Sequence, residues 1–178
     1  MKRQLTQLIV VADYGDGLAW GELELALQDA FPGVSLTFLN VPPYRTLAAG
    51  FTASQLARRR FRDPQRTALL LNVDPRLQTA APILDGSGAP FVCATLTSGV
   101  RVFSPNAGFS LSFLKPRINR LVELSDGSGS GQFRSRDDFP GLMAQALRQN
   151  GRGSGVRRSV ESIPDFKPDG IVALWVDG

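Results

Sequence analysis

No histidine occurs anywhere in the chain. A Ser–His–Asp or Cys–His relay needs an imidazole to carry a proton near neutral pH, so both relays are excluded, together with every imidazole-ligated metal. Cysteine is nearly as scarce. The single Cys93 excludes an internal disulfide and any zinc or iron–sulfur centre built on several thiolates of this chain. Long apolar runs are missing too, since no stretch approaches the ~20 residues that a bilayer-spanning helix needs. The first run, residues 8–12, follows Lys2 and Arg3 but is shorter than the ~7–15 apolar residues of a secretory signal. Asp13 and Asp16 follow it at once, so it reads as the first buried strand of a cytoplasmic protein. Chemistry is left to carboxylates, arginines, hydroxyls and backbone amides.

What is present describes a globular chain. Its 178 residues are 43% hydrophobic and 20% charged, enough to bury a core without cross-links. Twenty basic residues against 16 acidic ones leave a net charge of +4. Over this length that is too mild to single out a nucleic-acid partner. The run Arg58-Arg59-Arg60, with Arg62 and Arg66 behind it, reads as a solvated helix face.

The first half alternates strands and helices. A β-branched apolar run at 8–12 closes in Asp13-Tyr14-Gly15-Asp16-Gly17, a strand ending in a tight turn. Residues 20–31 place Leu23, Leu27, Ala30 and Phe31 on one helical face before Pro32-Gly33 stops the helix. A strand at 34–41 ends in Pro42-Pro43, and a helix at 47–61 is expected to turn Phe51, Leu56 and Phe61 toward the core. A strand at 67–73 then delivers Asp74-Pro75. This order predicts an α/β fold, a mostly parallel sheet with helices on both faces. Ligands of such sheets sit beyond the carboxyl ends of the strands, where Asp13 and Asp74 both fall.

In the second half, 91–97 and 100–103 read as a β-hairpin around Ser98-Gly99, followed by the loop Ser104-Pro105-Asn106-Ala107-Gly108 and an apolar stretch at 109–114. A Gly/Ser-rich loop spans 125–131, a helix 139–147, a basic glycine-rich linker 151–158 and a last strand 171–176. The division expected is an α/β domain over 1–150, with a linker and final strand over 151–178. The Gly127 loop lacks the Lys-Ser/Thr ending of a phosphate-binding P-loop. Asp13, Tyr14 and Asp16 suit a ribose or other diol, because one carboxylate accepts two hydroxyl hydrogen bonds. A turn that favours Asp and Gly for backbone reasons explains them equally. Arg134, Ser135, Arg136 and Asp137 offer an anion or leaving-group site, or else a surface turn with a helix-capping aspartate.

The order of these pieces resembles the family of S-adenosylmethionine hydrolases (hydroxide adenosyltransferases), which also holds the adenosyl-halide synthases. Asp13-Tyr14-Gly15 stands where that family has Asp-Phe-Gly, and Val41-Pro42-Pro43 where it has a Pro-Pro pair before an alanine-rich helix. Asn72-Val73-Asp74-Pro75 keeps the Asp-Pro of its Val-Val-Asp-Pro-Gly-Val-Gly. Ser104-Pro105-Asn106-Ala107-Gly108 matches its Gly-Pro-Asp-Asn-Gly, and 132–137 its Thr-Phe-His-Gly-Arg-Asp. The resemblance implies an adenosyl ligand with no further cofactor and no metal, held in a homotrimer. By it Asp74 and Arg134 are the catalytic candidates, and Asp13 (on the ribose), Tyr14, Asn106 and Ser135 the substrate-binding ones. Three positions depart from the pattern: Ala81 stands where an Arg is expected, Arg134 where a His is, and Ala107 where the loop has its Asn. The family's second, β-rich domain opens with a motif whose beginning resembles Val176-Asp177-Gly178, so the resemblance places that domain outside this chain.

Two main readings follow. One is an enzyme that cleaves S-adenosylmethionine with water to adenosine and methionine. The other is a non-catalytic relative that binds an adenosine-type ligand or serves as an oligomeric structural protein. A third, a nucleic-acid or other anion-binding role, predicts affinity that falls steeply with salt and weakens on substitution at Arg58–Arg60.

Overall fold

A computed structural model describes residues 4–15, 17–73, 89–125, 137–148 and 155–166. The apolar run after Gln7 forms β1 (Gln7–Ala12), followed by α1 (Leu18–Ala30), β2 (Ser35–Asn40), α2 (Thr46–Arg58) and β3 (Thr67–Asn72). Next come β4 (Phe91–Leu96), β5 (Arg101–Pro105), β6 (Ile118–Ser125), α3 (Phe139–Arg148) and the short β7 (Val156–Arg158). The seven strands make one sheet in the order β2-β1-β3-β5-β4-β6-β7. Pairing is parallel from β2 through β5, with Ala12 of β1 in register with Asn40 on one side and Asn72 on the other. β4 runs antiparallel to both β5 and β6, and β7 antiparallel to β6. Five of the seven strands therefore point the same way and only β4 and β7 are reversed, which is the mostly parallel α/β sheet expected, hairpin included. The strands of the majority direction define two edges, a carboxyl edge where they end and an amino edge where they begin.

Helices cover both faces. Leu23 and Leu27 of α1 and Phe139 and Met143 of α3 pack over Leu8, Val10, Leu70 and Phe103. Phe139 stacks on Phe91 of β4 with ring centroids 4.1 Å apart and planes 12° from parallel. On the opposite face Ala49, Ala53 and Ala57 of α2, with Leu111, Leu114 and Ile163, cover Ile9, Val11, Leu69 and Leu71. The period-2 alternation of β1 and β3 divides their side chains between these two layers. Because both faces are covered, β3 is buried at every position and reads as a continuous apolar run.

Three local expectations change. Phe51 is 54% exposed rather than in the core, because α2 approaches the sheet through its small residues. The segment expected as a basic linker contains β7, and the chain beyond it packs back on the sheet, with Ile163 buried. β6 was not foreseen, and 109–114 leads into a 3-10 helix at Ser112–Arg117. The expected last strand at 171–176 lies outside the described residues.

Candidate functional site

The last rung of the parallel sheet sets three side chains of one facing direction side by side: Asn40, Ala12 and Asn72. Both asparagines hold the turn that follows β1. Asn40 Oδ1 accepts from the Gly15 amide at 3.3 Å, and Asn72 Nδ2 donates to the Tyr14 hydroxyl at 3.0 Å. Gly15 sits at φ 67°, a left-handed conformation that glycine adopts without a Cβ penalty. Asp13 reaches the other way, its Oδ2 accepting from the Tyr44 amide at 2.9 Å. Tyr44, in the turn after Pro42-Pro43, is a half-exposed residue at φ 61°. That conformation costs a bulky side chain roughly 1–2 kcal/mol, and the Asp13 hydrogen bond offsets part of it. The turns after β1 and β2 are thus latched to each other and to the end of β3.

β5 ends at the same edge and delivers Asn106. Its amide donates to the Pro90 carbonyl at 2.8 Å, and its Nδ2 to the Ser162 carbonyl at 3.4 Å. The Asn106 Oδ1 is buried without a hydrogen-bond partner among the described residues. Such an atom costs about 1–3 kcal/mol unless something donates to it. The loop behind it is fixed by Thr46 Oγ1, which accepts from the Phe109 amide at 3.1 Å. Gly108 lies against that threonine at φ 55°, where an added Cβ would sit 2.5 Å from Thr46 Oγ1.

Of the six site residues read from the sequence, Asp13, Tyr14 and Asn106 come to this edge. Asp74, Arg134 and Ser135 lie outside the described residues, as does Asp16. Val73, which precedes Asp74, and Ala89, where the described chain resumes, flank this edge, as do Ser125 and Asp137 on either side of the second interval. Asn40, Asn72 and Tyr44 were missed. Asn72 did carry a signal, a polar amide closing an otherwise apolar strand, while the Tyr44 latch joins residues 31 apart and has no local pattern.

The edge carries acceptors and hydroxyls: the Asp13 carboxylate, the buried Asn106 carbonyl and the phenols of Tyr14 and Tyr44. No group of three His, Cys, Asp or Glu able to hold a metal occurs among the described residues. Cys93 is no nucleophile. Burial pushes its thiol up to about 12, against the weaker opposing pull of Arg101 and Arg120. The described part of the site is therefore suited to a hydroxyl-rich ligand recognised by hydrogen bonds.

No family profile and no curated protein matches the sequence. Among solved structures, the fold is similar to an uncharacterized conserved protein from Thermotoga maritima (TM-score 0.60, 13% identity), over 89% of this chain and 57% of that one. It is also similar to a conserved hypothetical protein from Thermus thermophilus (TM-score 0.63, 19% identity), over 91% of this chain and 62% of that one. The chain spans about three fifths of the length of these two proteins, and the likeness is one of fold. No described helix is long and apolar enough to cross a membrane.

Proposed function

We propose that the carboxyl edge of the sheet binds S-adenosylmethionine and that the protein cleaves it with water to adenosine and methionine. The observation that supports this reading is the meeting of Asp13, Tyr14 and Asn106 at one edge, where β3 also ends shortly before Asp74. In this reading Asp13 accepts the ribose hydroxyls, with its position set by the Tyr44 amide. Tyr14, steadied by Asn72, lies along the nucleoside, and the unpartnered Asn106 Oδ1 accepts an N–H or O–H of the ligand. Asp74 accepts a hydrogen bond from the attacking water and aims it at the methylene carbon bound to sulfur. The new C–O bond forms as the C–S bond breaks. The electron pair passes to sulfur and cancels the sulfonium charge, and the water proton leaves through Asp74 to solvent. With so good a leaving group, the protein's task is to hold the reactants in line and keep bulk water out. By the resemblance Arg134 is the second catalytic candidate and Ser135 contacts the substrate. The reading carries with it a homotrimer and a cytoplasmic location, the latter in keeping with one buried free thiol.

A second reading is a non-catalytic binder of the same ligand, or an oligomeric structural protein. Ala81 and Arg134 favour it, standing where the resemblance expects the Arg and His that hold the water. Calorimetric titration with S-adenosylmethionine and with adenosine, followed by chromatography of the cell contents, separates the two. The hydrolase reading expects heat with both ligands, equal amounts of adenosine and methionine, and an Asp74→Asn protein that binds but releases neither. Binding without products from the unaltered protein selects the second reading. No heat with either ligand removes both.

A further inference from the structure

The opposite edge of the sheet collects arginines from both halves of the chain. Arg58 closes α2, and Arg59, Arg60 and Arg62 follow it on the way into β3, all four exposed. Arg66 immediately precedes β3. Beyond β3, Arg101 opens β5 in register with Ala68. Arg117 and Arg120 flank the start of β6, where Arg120 pairs with Thr95 of β4. Only the strand order β3-β5-β4-β6 brings these segments together. Within 58–67, 97–101 and 117–120 there are eight arginines, no lysine, and one carboxylate, Asp63.

Two of the guanidinium groups are fixed in place. Arg66 Nε donates to the Gln4 carbonyl at 2.8 Å and lies 3.9 Å from Asp63, and Arg101 Nη2 donates to the Gln65 carbonyl at 3.2 Å. The remaining six form no ion pair among the described residues. Between Thr6, Gln7, Arg62, Asp63, Arg66 and Thr67 lies a surface hollow of about 400 Å³. From β3 to β6 is three strand spacings, about 14 Å, which is wider than one small anion can span.

We propose that this amino edge binds the phosphodiester backbone of a nucleic acid without regard to base sequence. The planar guanidinium fork matches phosphate oxygens in pairs, so each exposed arginine here can grip one phosphodiester group. Contacts of this kind orient a strand but read no bases. An acidic protein partner is disfavoured because a protein interface needs a desolvated apolar centre. The exposed large apolar side chains, such as Leu18, Phe51 and Val156, all lie outside these segments. The mild net charge concealed the patch, since it averages this edge with acids placed elsewhere.

The test is fluorescence anisotropy of a labelled mixed-sequence DNA of about 20 nucleotides, single-stranded and as a duplex, with the full chain. With about five phosphates neutralised, affinity is expected to fall on the order of 100-fold between about 50 and 200 mM salt. Two unrelated sequences should bind within about threefold of each other. The double variant Arg59→Glu/Arg62→Glu and the single variant Arg117→Glu, checked for folding by circular dichroism, should each lose about tenfold or more. Arg45→Glu, the same charge change at an exposed position in the turn between β2 and α2 at the other edge, should lose nothing. The proposal is overturned if neither DNA form binds at low salt, or if Arg117→Glu binds as well as the unaltered protein. It is also overturned if polyglutamate of equal charge competes as well as the DNA, or if adenosine displaces the DNA.

Discussion

Cys93 sits in the layer between the sheet and α3, beside Phe103 and Met143, and its titration couples directly to folding. An unfolded thiol ionises at its ordinary 9.0, whereas burial pushes the folded one up to about 12, with Arg101 and then Arg120 pulling weakly the other way. Between those values the unfolded chain has released a proton that the folded chain keeps. The contribution is fully present below 9.0 and is lost as the pH rises toward about 12, at up to about 1.4 kcal/mol per pH unit. Urea unfolding of the unaltered protein and of Cys93→Ala at about pH 8 and about pH 10.5 isolates it from other groups. The stability advantage of the unaltered protein should narrow by about 2 kcal/mol at the higher pH, and an unchanged difference would show that the thiol is hydrated in the folded state. At this same scale the sequence was only half legible. Asp13 and Asn106 announce themselves as polar residues at strand ends, but Asn40 and Tyr44 act through partners 25 and 31 residues away, which no local pattern encodes.

Elements were legible where one segment's own pattern decides its structure. β1, α1, β2, α2 and β3 combine apolar periodicity with Gly and Pro punctuation, and their positions agree with the sequence reading to within about three residues. β6 was hidden because its run Ile-Asn-Arg-Leu-Val-Glu-Leu-Ser carries Glu123, a charge tolerated only because Arg158 of β7 meets it with two hydrogen bonds of 2.9 Å. Neither strand is intelligible without the other. α2 was placed correctly but turned wrongly, since Phe51 was expected inside and Gly50 is what faces the loop at Phe109. A Cβ at Gly50 would run into the Phe109 and Ser110 carbonyl oxygens, whereas one at Gly21 of α1 meets nothing. Gly→Ala in a helix ordinarily gains up to about 1 kcal/mol. Gly21→Ala should follow that rule. Gly50→Ala should instead lose about 1–3 kcal/mol, because the helix must move off the loop. Thermal unfolding of the pair measures the contrast, and a stabilised Gly50→Ala would mean that α2 and the Asn106 loop are not rigidly apposed.

At the scale of the whole molecule the sheet separates two chemistries. Strand direction sends the Asp13, Tyr14 and Asn106 turns to one edge and the eight arginines of 58–67, 97–101 and 117–120 to the other, with the buried length of β3 between them. Net charge, a sum over the chain, conceals that separation, and only the pairing order reveals it. If the carboxyl edge holds an adenosyl ligand as proposed, its occupancy stabilises the fold by mass action, independently of the arginine edge. Adenosine at about 100 times its Kd contributes about 2.7 kcal/mol. For a chain of this length that corresponds to a rise in Tm of about 5–11 °C. Adenosine is uncharged, so the rise should be the same at about 50 and about 500 mM salt, and the same in Asp74→Asn and in Arg59→Glu/Arg62→Glu. Asp13→Ala should abolish it, because the carboxylate that takes the ribose hydroxyls is gone. A rise that fades with salt, or that disappears with the arginine pair while surviving Asp13→Ala, would place the nucleoside at the amino edge and reverse the assignment of the two faces.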